Sequence, residues 1–292
     1  MLKPLVSLVI PAKNEGQHVR NTIVSALKVK TDCPFEIIIV DDASNDGCCS
    51  SLASLGIPGQ IKVIRTQGVG AAMARNIGAE AAAGSFLIFC DAHLFFEDWW
   101  IDRLLAPIRS GEADATNPGI GDTANPGNVG YGYSWNANLE PRWNTGRQTL
   151  FPSAHLAGGC LAISRNAFFD INGFERGFKV WGREDEEISF KLWVFGYKCY
   201  VEPQVKILHV FRPSSPPFQL TWDHINYNLM RMAYSHFKEE RIEKCKKLIK
   251  HSDPEKIVAA VLENGVLKQR QAYFTRRKYD DDWYMTTFNI PF

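Results

Sequence analysis

Four short apolar runs, each closed by a polar turn, fill the first ninety residues of this 292-residue chain and restrict its fold more than any other feature. They are Leu5–Ile10, Phe35–Val40, Ile61–Arg65 and Phe86–Cys90. The continuous run Leu5–Ile10 fits a strand that is covered on both faces, and the other three read as further strands. Helical spacing lies between them. Val19, Ile23, Ala26 and Leu27 share one face of a helix that Asn14 can cap, and the alanine-rich Gly70–Ala83 stops at Gly84. This alternation predicts an α/β fold: an open, mostly parallel central sheet with helices on both faces.

Beyond that, the pattern changes. Residues from Asn117 to Thr149 are rich in Gly, Asn, Pro, Tyr and Trp with little periodicity, which reads as a long excursion or short irregular strands lining a site. Strand character returns at Ala157–Ile163 and Lys206–Val210, with a helix expected over Arg183–Phe195. From Thr221 to about Lys268 the chain turns helical and charged, and it ends in an aromatic segment. A main domain over residues 1–220 and a helical C-terminal extension over 221–292 follow from these shifts.

Bulk properties exclude several classes. A formal charge of +1 offers no footprint for nucleic acid. No apolar stretch is long enough to form a signal core or a membrane span. The seven cysteines are odd in number and include no C-x-x-C pair, so they read as reduced thiols in a cytoplasmic setting and not as a zinc site. Oligomeric state leaves no trace in the sequence.

In parallel α/β sheets, ligands bind at the carboxyl ends of the strands. Three such ends carry acidic or metal-capable groups here: Pro11-Ala12-Lys13-Asn14-Glu15, Asp41-Asp42-Ala43-Ser44 and Asp91-Ala92-His93. Asp91 and His93 are two apart, so in extended backbone they project to the same side and can share one ion. A carboxylate with an imidazole suits Mn²⁺ better than the all-oxygen preference of Mg²⁺ or Ca²⁺.

These segments, together with Ala74-Arg75-Asn76, resemble the nucleotide-binding half of the family 2 glycosyltransferases, whose fold is called GT-A. Asp91-Ala92-His93 is similar to the D-x-H metal motif of the polypeptide N-acetylgalactosaminyltransferases. Gly158-Gly159 followed by Trp181-Gly182-Arg183-Glu184-Asp185-Glu186-Glu187-Ile188-Ser189-Phe190 resembles their W-G-G-E-N segment, and His209-Val210-Phe211-Arg212 their H-V-F-R. The likeness covers about residues 5–217. It implies a metal-dependent glycosyltransferase using a UDP-sugar donor, with residues 1–116 as the nucleotide-binding half and 117–220 as the acceptor and metal half. Pro11, Ala12, Asn14, Glu15 and Asp42 would hold uracil and ribose, Arg75 and Trp181 the phosphates or sugar. Asp91, His93 and His209 would bind Mn²⁺, or Mg²⁺ in its place. The stretch Arg212–Pro217 resembles the loop that closes over the donor.

One departure bears on mechanism. Where the N-acetylgalactosaminyltransferases have Asn, this chain has Asp185, and a Glu184-Asp185 pair is typical of inverting family 2 enzymes. Base catalysis needs a placed carboxylate, so the expectation is inversion with Asp185 as base and Glu184 beside it, against retention as the alternative. Acidic residues at a helix start also serve the helix dipole, the plainer role. A non-catalytic nucleotide-sugar or carbohydrate-binding protein is the rival from another class; it would be expected to lose the metal ligands or the acidic pair. A dehydrogenase is excluded by the first turn, which lacks G-x-G-x-x-G. The acceptor (glycan, peptide or small molecule) is not legible.

Overall fold

The computed structural model describes residues 4–212 and 216–292. The expected rhythm forms β1 (Val6–Ala12), α1 (His18–Lys28), β2 (Phe35–Asp41), β3 (Ile61–Arg65), α2 (Ala71–Ala81) and β4 (Phe86–Cys90). β3, β2, β1 and β4 lie side by side and parallel. Because alternate residues of a strand face opposite ways, β1 feeds two cores at once. Val6, Leu8 and Ile10 meet α1, while Val9 faces α2. Asn14 does not cap α1. It sits at positive φ with its side-chain oxygen on the Asn45 amide, and α1 opens at His18 behind Gln17.

The chain then forms β5 (Leu94–Phe95) and α3 (Trp100–Arg109), which adds Trp100, Ile101, Leu104 and Leu105 to the core beside α1. Next comes β6 (Ala115–Asp122), where the sequence predicted no regular strand. Its Pro118 lies opposite Glu202, where the neighbouring strand slips register, so the missing N–H breaks no regular ladder. Gly119 lets the Tyr131 ring lie on the strand, since a Cβ there would come within 2.6 Å of that ring.

β7 (Val129–Gly130) pairs with β6, and β8 (Tyr133–Trp135) pairs with β9 (Pro141–Trp143) as a separate hairpin. After β10 (Phe151–Pro152), β11 (Cys160–Ser164) runs antiparallel between β4 and β6. α4 (Arg165–Asp170) and α5 (Glu184–Phe195) follow, then β12 (Cys199–His209), longer than expected and parallel to β6. The long strands other than β11 all run one way, so β1, β2, β4 and β12 deliver their carboxyl ends to one rim.

The C-terminal segment forms α6 (Trp222–His236), α7 (Glu239–Lys247), α8 (Pro254–Glu263), α9 (Val266–Arg276) and α10 (Asp281–Thr287). Its residues share an apolar core with α5, which is buried at every position but Asp185. A helix buried all round must satisfy its polar groups internally. Glu187 does so with Lys191 at 3.0 Å and His236 of α6 at 2.8 Å. Among the described residues, no helix is long and apolar enough to cross a membrane.

Gly78 sets how closely α2 approaches the sheet: a Cβ there would fall 2.4 Å from Val9 Cγ1 and 3.1 Å from Val40 Cγ2. Both neighbours are buried β-branched side chains with little room to turn. Gly78→Val is expected to destabilise the protein by about 1–3 kcal/mol through overpacking, read as a lower urea midpoint with an unchanged slope.

Candidate active site

The rim formed by the ends of β1, β2, β4 and β12 encloses a cavity of about 820 Å³. Pro11, Ala12, Glu15, Asp42, Arg75, Asp91, His93, Trp181 and His209 line it. Asn14 is not in that lining; its amide donates to the Pro217 carbonyl at 3.0 Å. Asp42 is heavily engaged. Its carboxylate accepts from Thr66 Oγ1 at 2.5 Å and from the amides of Val69 and Gly70 at 2.6 and 3.0 Å, so it fastens the loop that opens α2. Lys13 Nζ lies 3.8 Å from it.

Asp91, His93 and His209 converge. One ligand atom from each lies within 4.8 Å of the others. The backbone imposes this: β5 pairs with β12 so that Leu94 opposes His209, and the Val210 amide donates to the His93 carbonyl at 3.0 Å. The Asp91 amide donates to the Gly159 carbonyl, where a side chain would come within 3.4 Å of the His209 ring. Asp91 Oδ1 accepts from Arg75 at 2.9 Å and Oδ2 lies 3.5 Å from His209 Nε2. Burial opposes ionisation of Asp91, but the hydrogen bond from His209 and the Arg75 charge outweigh it and hold the carboxyl well below its usual range. Burial likewise disfavours His93 protonation; the Glu15 hydrogen bond and the Asp91 charge reverse this and raise its pKa.

The donor set fits a Mn²⁺-type ion. Glu15 Oε2 lies 3.1 Å from His93 Nδ1 and also accepts from Arg212. A carboxylate accepts only, which puts the His93 proton on Nδ1 and turns the Nε2 lone pair inward. His93 Nε2 and His209 Nε2 face each other at 3.1 Å. At most one proton fits between two such nitrogens, whereas a cation takes both lone pairs. His209 Nδ1 is buried and, among the described residues, has no partner.

A second cavity of about 410 Å³ adjoins the first and shares Arg75, Asp91, Trp181, His209 and Phe211 with it. Glu184 and Asp185 open α5 on its wall. Asp185 Oδ2 accepts from the Gly158 amide at 3.2 Å and Oδ1 from the Glu186 amide at 3.1 Å. Glu184 Oε2 accepts from the Gly182 amide at 2.9 Å, while Oε1 is buried with no partner among the described residues. Burial pushes the Glu184 carboxyl up to about 7 against an opposing pull from Arg75. Tyr133 and Trp143 also line this cavity; the sequence signalled them only as aromatics in its aperiodic middle.

Glu184 therefore binds a proton in the native state at pH values where the unfolded chain has lost it. Stability falls as pH rises from about 4.5 to about 7 on this account. Glu184→Gln removes that penalty. Relative to the native sequence, the variant is expected to gain roughly 1–3 kcal/mol at pH 8 and much less at pH 4, measured by chemical denaturation at both values.

The family described as glycosyl transferase family 2 matches residues 7–171, and the N-terminal domain of galactosyltransferase matches residues 148–214. The chain is 30% identical over 243 residues to polypeptide N-acetylgalactosaminyltransferase 8 of Drosophila melanogaster, covering 77% of this chain and 41% of that protein. It is 31% identical over 261 residues to a probable N-acetylgalactosaminyltransferase 6 of Caenorhabditis elegans, covering 79% and 42%. The chain thus spans about two-fifths of the length of these curated relatives. Among solved structures, GalNAc-T7 with UDP, GalNAc and Mn²⁺ superposes with a TM-score of 0.76 at 23% identity, over 99% of this chain and 57% of the other. A mannosyltransferase from Pyrobaculum calidifontis with GDP-Man and Mn²⁺ gives 0.58 at 16% identity, over 94% and 75%. These two likenesses establish the shared fold, the GT-A arrangement expected from the motifs.

Proposed function

Since this chain belongs to the family 2 glycosyltransferases, we propose that it transfers a sugar from a metal-bound UDP-sugar to a hydroxyl-bearing glycan, peptide or small molecule. The observation that carries this reading is the meeting of Asp91 Oδ2, His93 Nε2 and His209 Nε2 where the two cavities join. A diphosphate in the larger cavity then has its leaving end beside these three groups, and the acceptor enters through the smaller one. The names of the curated relatives support an N-acetylhexosamine as the sugar, and the ligands of the two solved structures support a nucleotide held with Mn²⁺.

In this reading Pro11, Ala12, Glu15 and Asp42 shape the nucleoside end, Asp42 by fixing the Val69-Gly70 turn and Glu15 by orienting His93. Asn14 acts at one remove by holding the Asn45 and Pro217 backbones together. Mn²⁺, or Mg²⁺ in its place, supplies neutralisation of the charge that develops on the departing diphosphate. Arg75 holds Asp91 ionised and its guanidinium faces both cavities. Trp181 forms a wall common to donor and acceptor. Asp185 accepts the proton of the attacking acceptor hydroxyl, whose oxygen displaces the nucleotide with inversion. Glu184 lies in the same wall, with its unpartnered Oε1 buried behind the cavity surface. Retention is the second reading, favoured by one observation: both Asp185 oxygens already accept backbone N–H groups, leaving fewer lone pairs for a proton. The stretch that resembles a closing loop includes residues 213–215, which lie outside the described residues.

We place the catalytic domain at 1–220, with 1–116 the nucleotide half and 117–220 the acceptor and metal half, and treat 221–292 as a helical cap on it. Seven free thiols support a cytoplasmic setting.

Asp91→Asn is expected to abolish Mn²⁺-dependent UDP binding in calorimetry; affinity within twofold of the native value would remove the metal assignment. Asp185→Asn is expected to leave that binding intact and to slow transfer by roughly a hundredfold or more. Proton NMR of the first product formed reads the anomeric configuration directly, with an inverted product expected.

A further inference from the structure

The segment from Glu175 to Arg183 joins the two halves of the site. Arg176, Gly177, Phe178, Lys179, Val180 and Trp181 wall the larger cavity, and Glu184 and Asp185 follow at once on the smaller one. Three of its backbone positions lie at positive φ: Val180 at 47°, Gly182 at 107° and Arg183 at 72°. A β-branched residue in that region is unfavourable and persists only where its surroundings impose it. The segment has no helix or strand of its own to do so.

α6 imposes it from outside. Asn228, fully buried, accepts from the Lys179 amide at 2.7 Å. Its amide lies within donating distance of three carbonyls, those of Lys179 at 2.9 Å, Trp181 at 3.2 Å and Gly182 at 2.9 Å. One turn along, Arg231 donates to Glu175 Oε1 at 3.0 Å, and Gly177 packs so closely on the guanidinium that a Cβ would stand 2.3 Å from Cζ. From the opposite side, the Ala71 amide donates to the Val180 carbonyl at 2.8 Å, next to the Gly70 amide held by Asp42. A side chain that both donates and accepts within one buried pocket can be replaced by no apolar residue of the same shape without stranding backbone groups.

We propose that Asn228 is a positioning residue of this site: it clasps residues 179–182 and so sets where Trp181 and the Glu184-Asp185 pair stand relative to the donor. The proposal rests on the function argued above and assigns a role in the reaction to the C-terminal helices. Asn228 touches neither cavity, and the Asp91, His93 and His209 cluster lies on other elements, so its effect should spare the metal.

The test uses Asn228→Asp, which keeps the acceptor for Lys179 and loses the two N–H groups shared among the three carbonyls, and Asn228→Leu, which loses both acceptor and donors. Donor turnover is read as metal-dependent release of UDP from UDP-N-acetylgalactosamine, with Mn²⁺ binding measured separately. Hydrogen exchange is followed in peptides spanning 177–183 and 199–209. The expected result is faster exchange confined to 177–183, unchanged Mn²⁺ affinity, and a donor KM raised with kcat lowered, together on the order of tenfold to a hundredfold in kcat/KM. Asn228→Leu is expected to be the worse of the two. Gly78→Val serves as a comparison, losing stability while its folded fraction keeps the native KM. Native KM and kcat in both Asn228 variants, or exchange raised equally throughout the chain, would overturn the proposal. Absence of any UDP-sugar binding by the native protein would refute the proposed function instead, and the 177–183 exchange would still decide whether Asn228 holds the loop.

Discussion

A half-buried carboxylate at the end of a β-strand needs compensating charge, and the way Asp91 obtains it organises the rest of the site. Arg75 reaches it from α2, and His209 arrives from the end of β12. Arg75 comes from the helix just before β4, whereas His209 comes from the last strand of the chain, so the second pairing requires the whole sheet to be in register. β11 inserted antiparallel beside β4 allows this: it puts β6 and β12 on the far side of the sheet but pointing the same way as β1–β4. The ends of the early and late strands then lie on one rim, and the Asp91, His93 and His209 donors meet across it.

Around that cluster, most polar groups act on one another before they act on a ligand. Glu15 fixes the tautomer of His93 and holds Arg212, Asp42 fixes the turn before α2, and Asn14 ties two loops together. This is the supporting shell that a metal and diphosphate site requires, because ligands left free to rotate lose affinity and direction. Glu184 is one exception, as is His209 Nδ1. The unpartnered oxygen and raised pKa of Glu184 mark a group whose desolvation is not compensated within the protein.

How far the sequence disclosed this depended on whether the information was local. The four early strands were legible because each is an apolar run between turn residues, and the structure places them within a residue or two of the expected bounds. Asp91 and His93 were picked out by their two-residue spacing, but the extended backbone assumed for them is absent: residues 91–93 form a bend between β4 and β5, and it is the pairing of β5 with β12 that brings His93 to His209. β6 was not legible: Asn117-Pro118-Gly119 reads as a turn, and only the register slip in β12 and the Tyr131 ring explain why it is a strand. Asn14 has the residue type of a helix cap, but a loop thirty residues later competes for it and wins. Asn228 left no signal at all, since an asparagine in a charged helix is ordinary until the loop it holds is folded against it. The C-terminal helices were legible as helices but not as a layer bonded to α5, because Glu187, Lys191 and His236 become one buried network only after α6 docks.

The central claim is that one divalent ion is held by imidazoles from two separate strand ends together with Asp91. Pulsed electron paramagnetic resonance of Mn²⁺ bound with UDP, on protein carrying ¹⁴N or ¹⁵N histidine, tests it without reliance on turnover. Two coordinated imidazole nitrogens are expected, with one lost in His93→Ala and the other in His209→Ala. A spectrum with no histidine nitrogen coupling, or one unchanged by either substitution, would contradict the account.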